Sequence, residues 1–358
     1  MLNKFSPTQL LGMDFAFLQR FQQQRIRTFS LLFAVGFSLT LAVSACSPSA
    51  SNNDTQVTTS PSPAASGTTV HIGYQKASTV LYALKTRGEL EKAFAASGSS
   101  VTWSEFPAGP PLLEALNAGS IDFGYTGESP PIFAQAGGVP LVYVAYDPWS
   151  PKAEAILVPK DSPIKSVAEL KGKKIAFAKG SNANYLLVKA LEKAGVQYSD
   201  IQRVTLTPAD ARAVFERKNV DAWAIWDPYL AAAEAATGAR ALADATGLAP
   251  NRGYYLAAKS FVDAKPDALK IVLDQVKEVS NWAKNNPGEV AKFLSPALGI
   301  DASVLEIAEK RREYDVLPLT DEVITKQQEV ADTFYKIKLI PKEIKVKEIV
   351  WRGKVNNS

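Results

Sequence analysis

The chain is poor in the side chains on which much enzyme chemistry rests. Its 358 residues include one cysteine, Cys46, and one histidine, His71. That scarcity argues against Cys/His nucleophile pairs, zinc sites and serine triads that depend on a histidine base. His71 opens the first expected strand, where a packed or surface histidine is the ordinary outcome. Charge of one sign is also missing. Four of the 40 Lys and Arg and one of the 36 Asp and Glu precede Cys46, leaving 36 basic against 35 acidic groups. That balance gives no electrostatic footprint for nucleic acid. What is present, 46% apolar and 21% charged residues, is the composition of a globular protein long enough for two domains.

The longest uncharged run, "FSLLFAVGFSLTLAVSA" at 29–45, lies behind Arg20, Arg25 and Arg27 and ends in small residues before Cys46. This is the shape of a secretory signal, and Val43, Ser44, Ala45 and Cys46 resemble the bacterial lipobox. Residues 1–45 are therefore expected to be a lipoprotein signal peptide, with Cys46 the lipidated residue; initiation at Met13 would give a signal of more ordinary length. Residues 46–69 are almost entirely Ser, Thr, Pro, Ala, Asn and Gly, a flexible tether.

From Val70 onward short apolar runs alternate with helical spacing. "TVHIGYQ", "SVTWSEF", "IDFGYTGE" and "VPLVYVAYD" read as strands, separated by "TVLYALKTRGELEKAFA", "PPLLEALNAGS" and "SPPIFAQAGG". The rhythm restarts at "EAILVPK". It continues through "KKIAFAKG" and the helix "SNANYLLVKALEKAG", whose Leu186, Leu187, Ala190, Leu191 and Ala194 share a face. The chain becomes strongly helical from Asp267 to Lys338. Alternation of this kind implies α/β units with mostly parallel sheets covered on both faces.

The two units match each other internally. "GSIDFGYTGES" overlays "KNVDAWAIWDP" at an offset of 99, placing Asp122 on Asp221 and Glu128 on Asp227. Each copy carries an aliphatic–Asp pair, a short strand, then an acid and a proline where a helix should begin. Two such strand ends would face one crevice, where helix amino termini point unpaired N–H groups.

"IGYQK", "EFPAGPPLLEALNAGSIDFGYTGESPPIFAQA", "PKAEAILVPKDSPIKSVAELKGKKIAFAKGS" and "LTPADARAVFERKNVDAWAIWDPY" closely resemble the aliphatic-sulfonate-binding proteins of bacterial ABC importers, over about Val70 to Trp351. The resemblance implies a two-lobed, type II periplasmic-binding-protein fold with a hinged cleft and a helical C-terminal region. Lobe one would comprise 70–155 and lobe two 156–252. Residues 253–351 would return to lobe one and add the C-terminal helices, with a disordered tail at 352–358. The chain crossings are expected near Glu154–Val158 and Gly253–Ala257. The implied function is capture of a small organosulfonate for sulfur acquisition, without metal or cofactor, and delivery to permease and ATPase subunits. A monomer is expected, held at a bacterial membrane in the periplasm or at the cell surface through Cys46.

A sulfonate has no proton to donate near neutral pH, so its site must offer donors. In "FAKGSNANYLL" Gly180 permits a tight turn and the helix start exposes amides, which makes Ser181, Asn182 and Ala183 the expected sulfonate contacts. Gln75 offers an amide NH₂, with the neighbouring Lys76 read as solvated. Thr126 offers a hydroxyl, and Gly127 a backbone N–H that a ligand can approach closely. Glu128 and Asp227 are wrong in sign for an anion. Each reads either as a cap for a helix whose first turn contains Pro130 or Pro228, or as an acid that accepts from the organic end of a ligand or bridges to the other lobe on closure. Trp226 is read as a wall against an alkyl chain, with core burial as the alternative, while Trp223 and Asp221 read as structural. Of Tyr254 and Tyr255 only one can face the cleft, and Tyr254 is the candidate. Taurine, nitrate or another small anion remain rival ligands. A metal-free enzyme on the same fold is the rival from another class.

Overall fold

The computed structural model describes residues 67–353. The signal peptide, Cys46, most of the tether and the end of the tail lie outside the described residues. Among those described, no helix is long and apolar enough to cross a membrane.

The first α/β unit contributes β1 (Thr69–Gln75), β2 (Ser100–Phe106), β3 (Phe123–Gly127) and β4 (Leu141–Tyr146). Between them run α1 (Thr79–Arg87), α2 (Glu89–Ala95), α3 (Gly109–Asn117) and α4 (Ser129–Ala136). The second unit contributes β5 (Glu154–Val158), β6 (Lys174–Phe177), β7 (Gln202–Thr205), β8 (Ala222–Trp226) and β9 (Arg240–Asp244), with α5 (Asn182–Lys193), α6 (Pro208–Glu216) and α7 (Tyr229–Thr237). The chain then supplies β10 (Gly253–Ala258) and five helices: α8 (Lys259–Ala264), α9 (Pro266–Asn285), α10 (Pro287–Leu298), α11 (Ala302–Lys310) and α12 (Asp321–Lys336).

The strands form two five-stranded sheets of matching design, ordered β2-β1-β3-β10-β4 and β7-β6-β8-β5-β9. In the first, β10 runs antiparallel to β3 and β4; in the second, β5 runs antiparallel to β8 and β9. The remaining pairs are parallel. Interior strands covered on both faces read as continuous apolar runs. β4, β5 and β8 are buried almost throughout. In α5, Leu186, Leu187, Ala190 and Leu191 are buried as the spacing predicts, while Ala194 falls one residue past the helix as its half-buried C-cap.

The internal repeat has a structural basis. Asp122 Oδ2 accepts the His71 N–H at 2.8 Å and Asp221 Oδ2 accepts the Lys174 N–H at 2.7 Å. In both lobes an aspartate before one parallel strand thus fastens the chain at its neighbour.

The two expected crossings lie a few residues from where the resemblance implies them. The stretches Glu154–Val158 and Gly253–Ala257 do not themselves cross; each is an interior strand of one lobe. The crossings are the connections before them, 147–153 and 245–252, joined by Asp147 N–H to Gly253 O at 3.1 Å and Ser150 N–H to Asn251 O at 3.3 Å. Alternating apolar residues specify a strand but not which sheet receives it, so nothing in the local pattern corrects the crossings that the resemblance implies a few residues late. The C-terminal region also touches both lobes. After α11, Arg311 and Arg312 reach back to lobe two, while Glu309 holds Thr79 of lobe one at 3.0 Å. Residues 309–314 therefore form a third connection across the lobes.

Candidate functional site

Between the lobes lies a cavity of about 90 Å³, at the carboxyl ends of the parallel strands. Several helix amino termini meet it. Ala77 and Ser78 precede α1, Gly109 and Pro130 begin α3 and α4, and Ser181 and Asn182 begin α5. The first amides of each helix lack intrahelical acceptors, so these ends together present a positive potential. Ser78 makes no side-chain cap to its helix, whereas Ser181 accepts the Asn184 N–H at 3.4 Å and donates to Ala178 O at 2.6 Å.

Two arginines, neither anticipated from the sequence, complete the cationic wall. Arg252 follows directly on Asn251, and both line the cavity. The Arg252 side chain is almost fully buried, and its Nε and Nη1 find no protein partner. Arg312 also lines the cavity and donates through Nη2 to Asp227 O at 2.7 Å. Burial works against the charge of Arg312, but Tyr314, Glu309, Tyr125 and Asp227 around it hold it protonated.

An acid stands between these cations. Asp147 accepts the hydroxyl of Tyr125 and the N–H of Gly253, so both its oxygens are engaged. Burial raises its pKa to about 6 against those bonds and the two arginines. The cavity's apolar surface comes from Trp226, Ala77, Ala153 and Pro130. Serines line it, but no histidine or cysteine does. No cluster of His, Cys, Asp and Glu suited to a metal occurs among the described residues.

The expected site residues divide into two groups. Gln75, Gly127, Ser181, Asn182 and Trp226 line the cavity. Gln75 spends one amide hydrogen on Tyr125 O at 3.1 Å and keeps the other. Lys76 is exposed. Thr126, Glu128, Ala183, Asp227 and Tyr254 lie behind the wall, with at most 1% of their surface accessible.

Each of these five is spoken for by its surroundings. Thr126 donates to Gly127 O at 2.9 Å, and Ala183 packs into the core from the first turn of α5. Tyr254 meets Tyr143 edge-on at 4.9 Å between ring centroids. Tyr255 packs instead on Phe123 and Tyr125, so neither tyrosine of β10 faces the cavity. Asp227 Oδ1 accepts the Ala231 N–H in the first turn of α7 at 3.0 Å, the geometry of a cap. Glu128 does not cap its own helix. Its Oε2 accepts the Arg252 N–H at 2.9 Å, and burial, opposed by that bond and the Arg252 charge, lifts its pKa to about 7.

Asn182 holds the two lobes together. Its Oδ1 accepts the first N–H of α4, at Ser129, across the cleft at 3.1 Å, while its Nδ2 donates to Asn251 Oδ1 at 3.1 Å. A helix of lobe one is thus capped by a side chain of lobe two. Gly127 makes this possible, because a Cβ there would stand 2.2 Å from Asn182 Oδ1. The sequence-based reason for Gly127, close approach of a ligand, is joined by close approach of the opposite lobe.

The missed residues, Arg252, Arg312, Asp147 and Tyr125, share a cause. They sit in the crossing connections, in the third connection or inside a strand, where no local motif marks them. The one available signal was the charged run "KRREYD" at 310–315, unusual in an otherwise amphipathic helical tail.

Comparison with known proteins bears directly on this geometry. The family model described as "NMT1/THI5 like" matches residues 94–290. Escherichia coli (strain K12) has a protein named "Putative aliphatic sulfonates-binding protein" that is 45% identical over 284 residues, 79% of this chain and 88% of that one. A protein of the same name from Bacillus subtilis (strain 168) is 36% identical over 283 residues, 78% of this chain and 85% of that one. Among solved structures, the alkanesulfonate-binding protein SsuA from Xanthomonas axonopodis pv. citri, bound to MOPS, superposes with a TM-score of 0.76 at 43% identity. It covers 80% of this chain and 98% of its own.

Proposed function

The chain belongs to the aliphatic-sulfonate-binding proteins of the NMT1/THI5-like family, and from that premise we propose that it captures alkanesulfonates between its lobes and delivers them to an ABC importer. The observation that carries this reading is the cavity itself, where helix amino termini and the arginines Arg252 and Arg312 surround a space with an apolar side.

An alkanesulfonate is a permanent anion with three acceptor oxygens and an apolar tail. Arg252 has unpartnered donors, and the amides around Ser78 and Ser181 belong to helix starts that favour anions. Gln75 adds a neutral donor. Trp226, Ala77, Pro130 and Ala153 provide a surface on which methylene groups leave water, worth about 0.8 kcal/mol per buried CH₂. Nitrate, which has no tail, would leave that surface unused.

In this reading Ser181, Asn182 and Gly127 act in two ways. Their backbone forms part of the ligand wall, and the Asn182 side chain latches the closed lobes. Binding energy is then divided between ligand contacts and lobe contacts. No chemical step is assigned, in keeping with relatives that are binding proteins. The protein works outside the cytoplasmic membrane, as its periplasmic relatives do, and a lipid on Cys46 keeps it near the permease.

Titration calorimetry of the purified protein with ethane-, butane- and octanesulfonate, against taurine and nitrate, tests the assignment. Saturable binding of alkanesulfonates without added metal is expected. Saturable binding of nitrate together with silence toward every alkanesulfonate would reject it.

A further inference from the structure

Trp149 is one of the few large apolar side chains left exposed, with 45% of its surface accessible, and it does not line the cavity. Its position is nevertheless tightly defined. Pro148 and Pro151 bracket it, fixing two backbone torsions within four residues. Ser150, next to it, donates its N–H to Asn251 O, and Asn251 Nδ2 returns a bond to Ser150 O at 2.8 Å. An exposed tryptophan on so constrained a segment calls for a partner.

That partner is Arg252. Its guanidinium carbon lies 5.2 Å from the Trp149 ring centroid and 4.8 Å from that of Tyr146, both within the range of cation–π attraction. The two rings belong to the first crossing segment or its threshold, and the arginine to the second. Among the described residues no side chain forms an ion pair with Arg252, and its Nε and Nη1 have no hydrogen-bond partner there. Buried arginines ordinarily spend their charge on a carboxylate. Aromatic faces can hold the planar cation in place and leave its in-plane donors unspent.

We infer that Trp149 is a positioning residue for anion capture: with Tyr146 it holds the Arg252 guanidinium by its faces at the lobe crossing, so that its Nε and Nη1 stay open to the ligand. The inference rests on the reading of the cavity as an anion site. Because both rings and the arginine lie at the crossing, the arrangement also ties the shape of the hinge to the orientation of the cation. Capture of a sulfonate by Arg252 alters the field at the indole, which makes Trp149 a reporter of occupancy although it never touches the ligand.

The test pairs affinity with fluorescence on the full chain. Calorimetry with butanesulfonate is expected to show Trp149→Ala weakening binding by roughly 2- to 30-fold, the cation–π range expressed as affinity. Trp149→Phe, which keeps a π face, should recover most of that loss. In a Trp226→Phe background, which removes the tryptophan lining the cavity, saturating butanesulfonate should change the emission, and the further change Trp149→Phe should abolish that signal. Unaltered affinity in Trp149→Ala, equal losses in the Ala and Phe variants, or saturation in the calorimeter without any Trp149 signal would each overturn the inference. A protein that ignores sulfonates but binds nitrate would sink only the ligand assignment, and the same series would then be read with nitrate.

Discussion

Arg311 Nη1 lies 3.5 Å from Oδ2 of Asp227, a carboxylate with no accessible surface, while the Nη2 of the same guanidinium lies 2.7 Å from Glu234. The arginine follows α11 in the C-terminal region and both acids belong to lobe two, so a single side chain fastens the third connection to the far lobe. It also sets a charge balance. Burial lifts the Asp227 pKa to about 6 from 3.8, and Arg311 is the leading influence holding it down.

Arg311→Ala should therefore destabilise the protein in a pH-dependent manner. An acid whose folded pKa lies above its unfolded one contributes stability at low pH that is lost as pH rises through the folded value. Removing Arg311 pushes the Asp227 pKa higher still and widens that window. The cost is expected to be about 1–3 kcal/mol at pH 8, typical of a buried charge stripped of its partner, and smaller at pH 5. Thermal melts of both proteins at the two pH values check this. A variant penalty that is the same or larger at pH 5 would refute the account.

Gly127→Ala should block closure. The new Cβ would stand 2.2 Å from Asn182 Oδ1, and the backbone there is packed against the opposite lobe. We expect at least tenfold weaker sulfonate binding with a small change in melting temperature, because the clash exists only when the lobes meet. Small-angle scattering should show a ligand-saturated variant that stays more extended than the wild type. Adding Asn182→Ala removes the obstructing oxygen, so the double variant should bind more tightly than Gly127→Ala alone.

Much of this architecture was legible in the sequence because it is periodic. Strand and helix rhythm survive translation into sheets, and the 99-residue repeat marked the two strand ends that meet at the cleft. Gln75, Gly127, Ser181, Asn182 and Trp226 line the cavity because each stands at the end of a strand or the start of a helix, where topology alone directs it to the crevice. Thr126, Ala183 and Tyr254 stand one position away and turn behind the cavity wall. A neighbour along a strand or helix points to the other face, and the sequence does not reveal where the pleat is anchored. Arg252 and Arg312 could not be found this way, since their role depends on segments that meet only after both lobes have folded.

Glu128→Gln should flatten the pH dependence of stability. Burial raises the Glu128 pKa from 4.5 to about 7, so the folded protein binds a proton that the unfolded chain releases between those values. Stability from this group is present below about pH 4.5 and falls as pH rises to about 7. The loss is about 3 kcal/mol across the window, at about 1.36 kcal/mol per unit. Glutamine still offers an oxygen to the Arg252 N–H but cannot ionise. Denaturant titrations at pH 5 and pH 8 should show a smaller difference for the variant than for the wild type; equal differences would exclude Glu128 as the titrating group.

The paired aspartates give a test of the repeat itself. Asp122 and Asp221 make the same bond in different lobes, to the N–H of His71 and of Lys174, and neither touches the cavity. Removing either acceptor should cost about 0.5–1.5 kcal/mol, the net worth of one hydrogen bond, toward the low end at the exposed Lys174 N–H, which water can reach. The sites lie in separate sheets, so the losses in Asp122→Ala and Asp221→Ala should add in the double variant to within about 0.5 kcal/mol. Sulfonate affinity, measured by calorimetry well below the melting temperature, should stay within about twofold of wild type in both single variants. A large affinity loss in one variant but not the other would mean that the two lobes do not use this fastening equivalently, because a purely structural role predicts the same neutrality toward the ligand on both sides of the cleft.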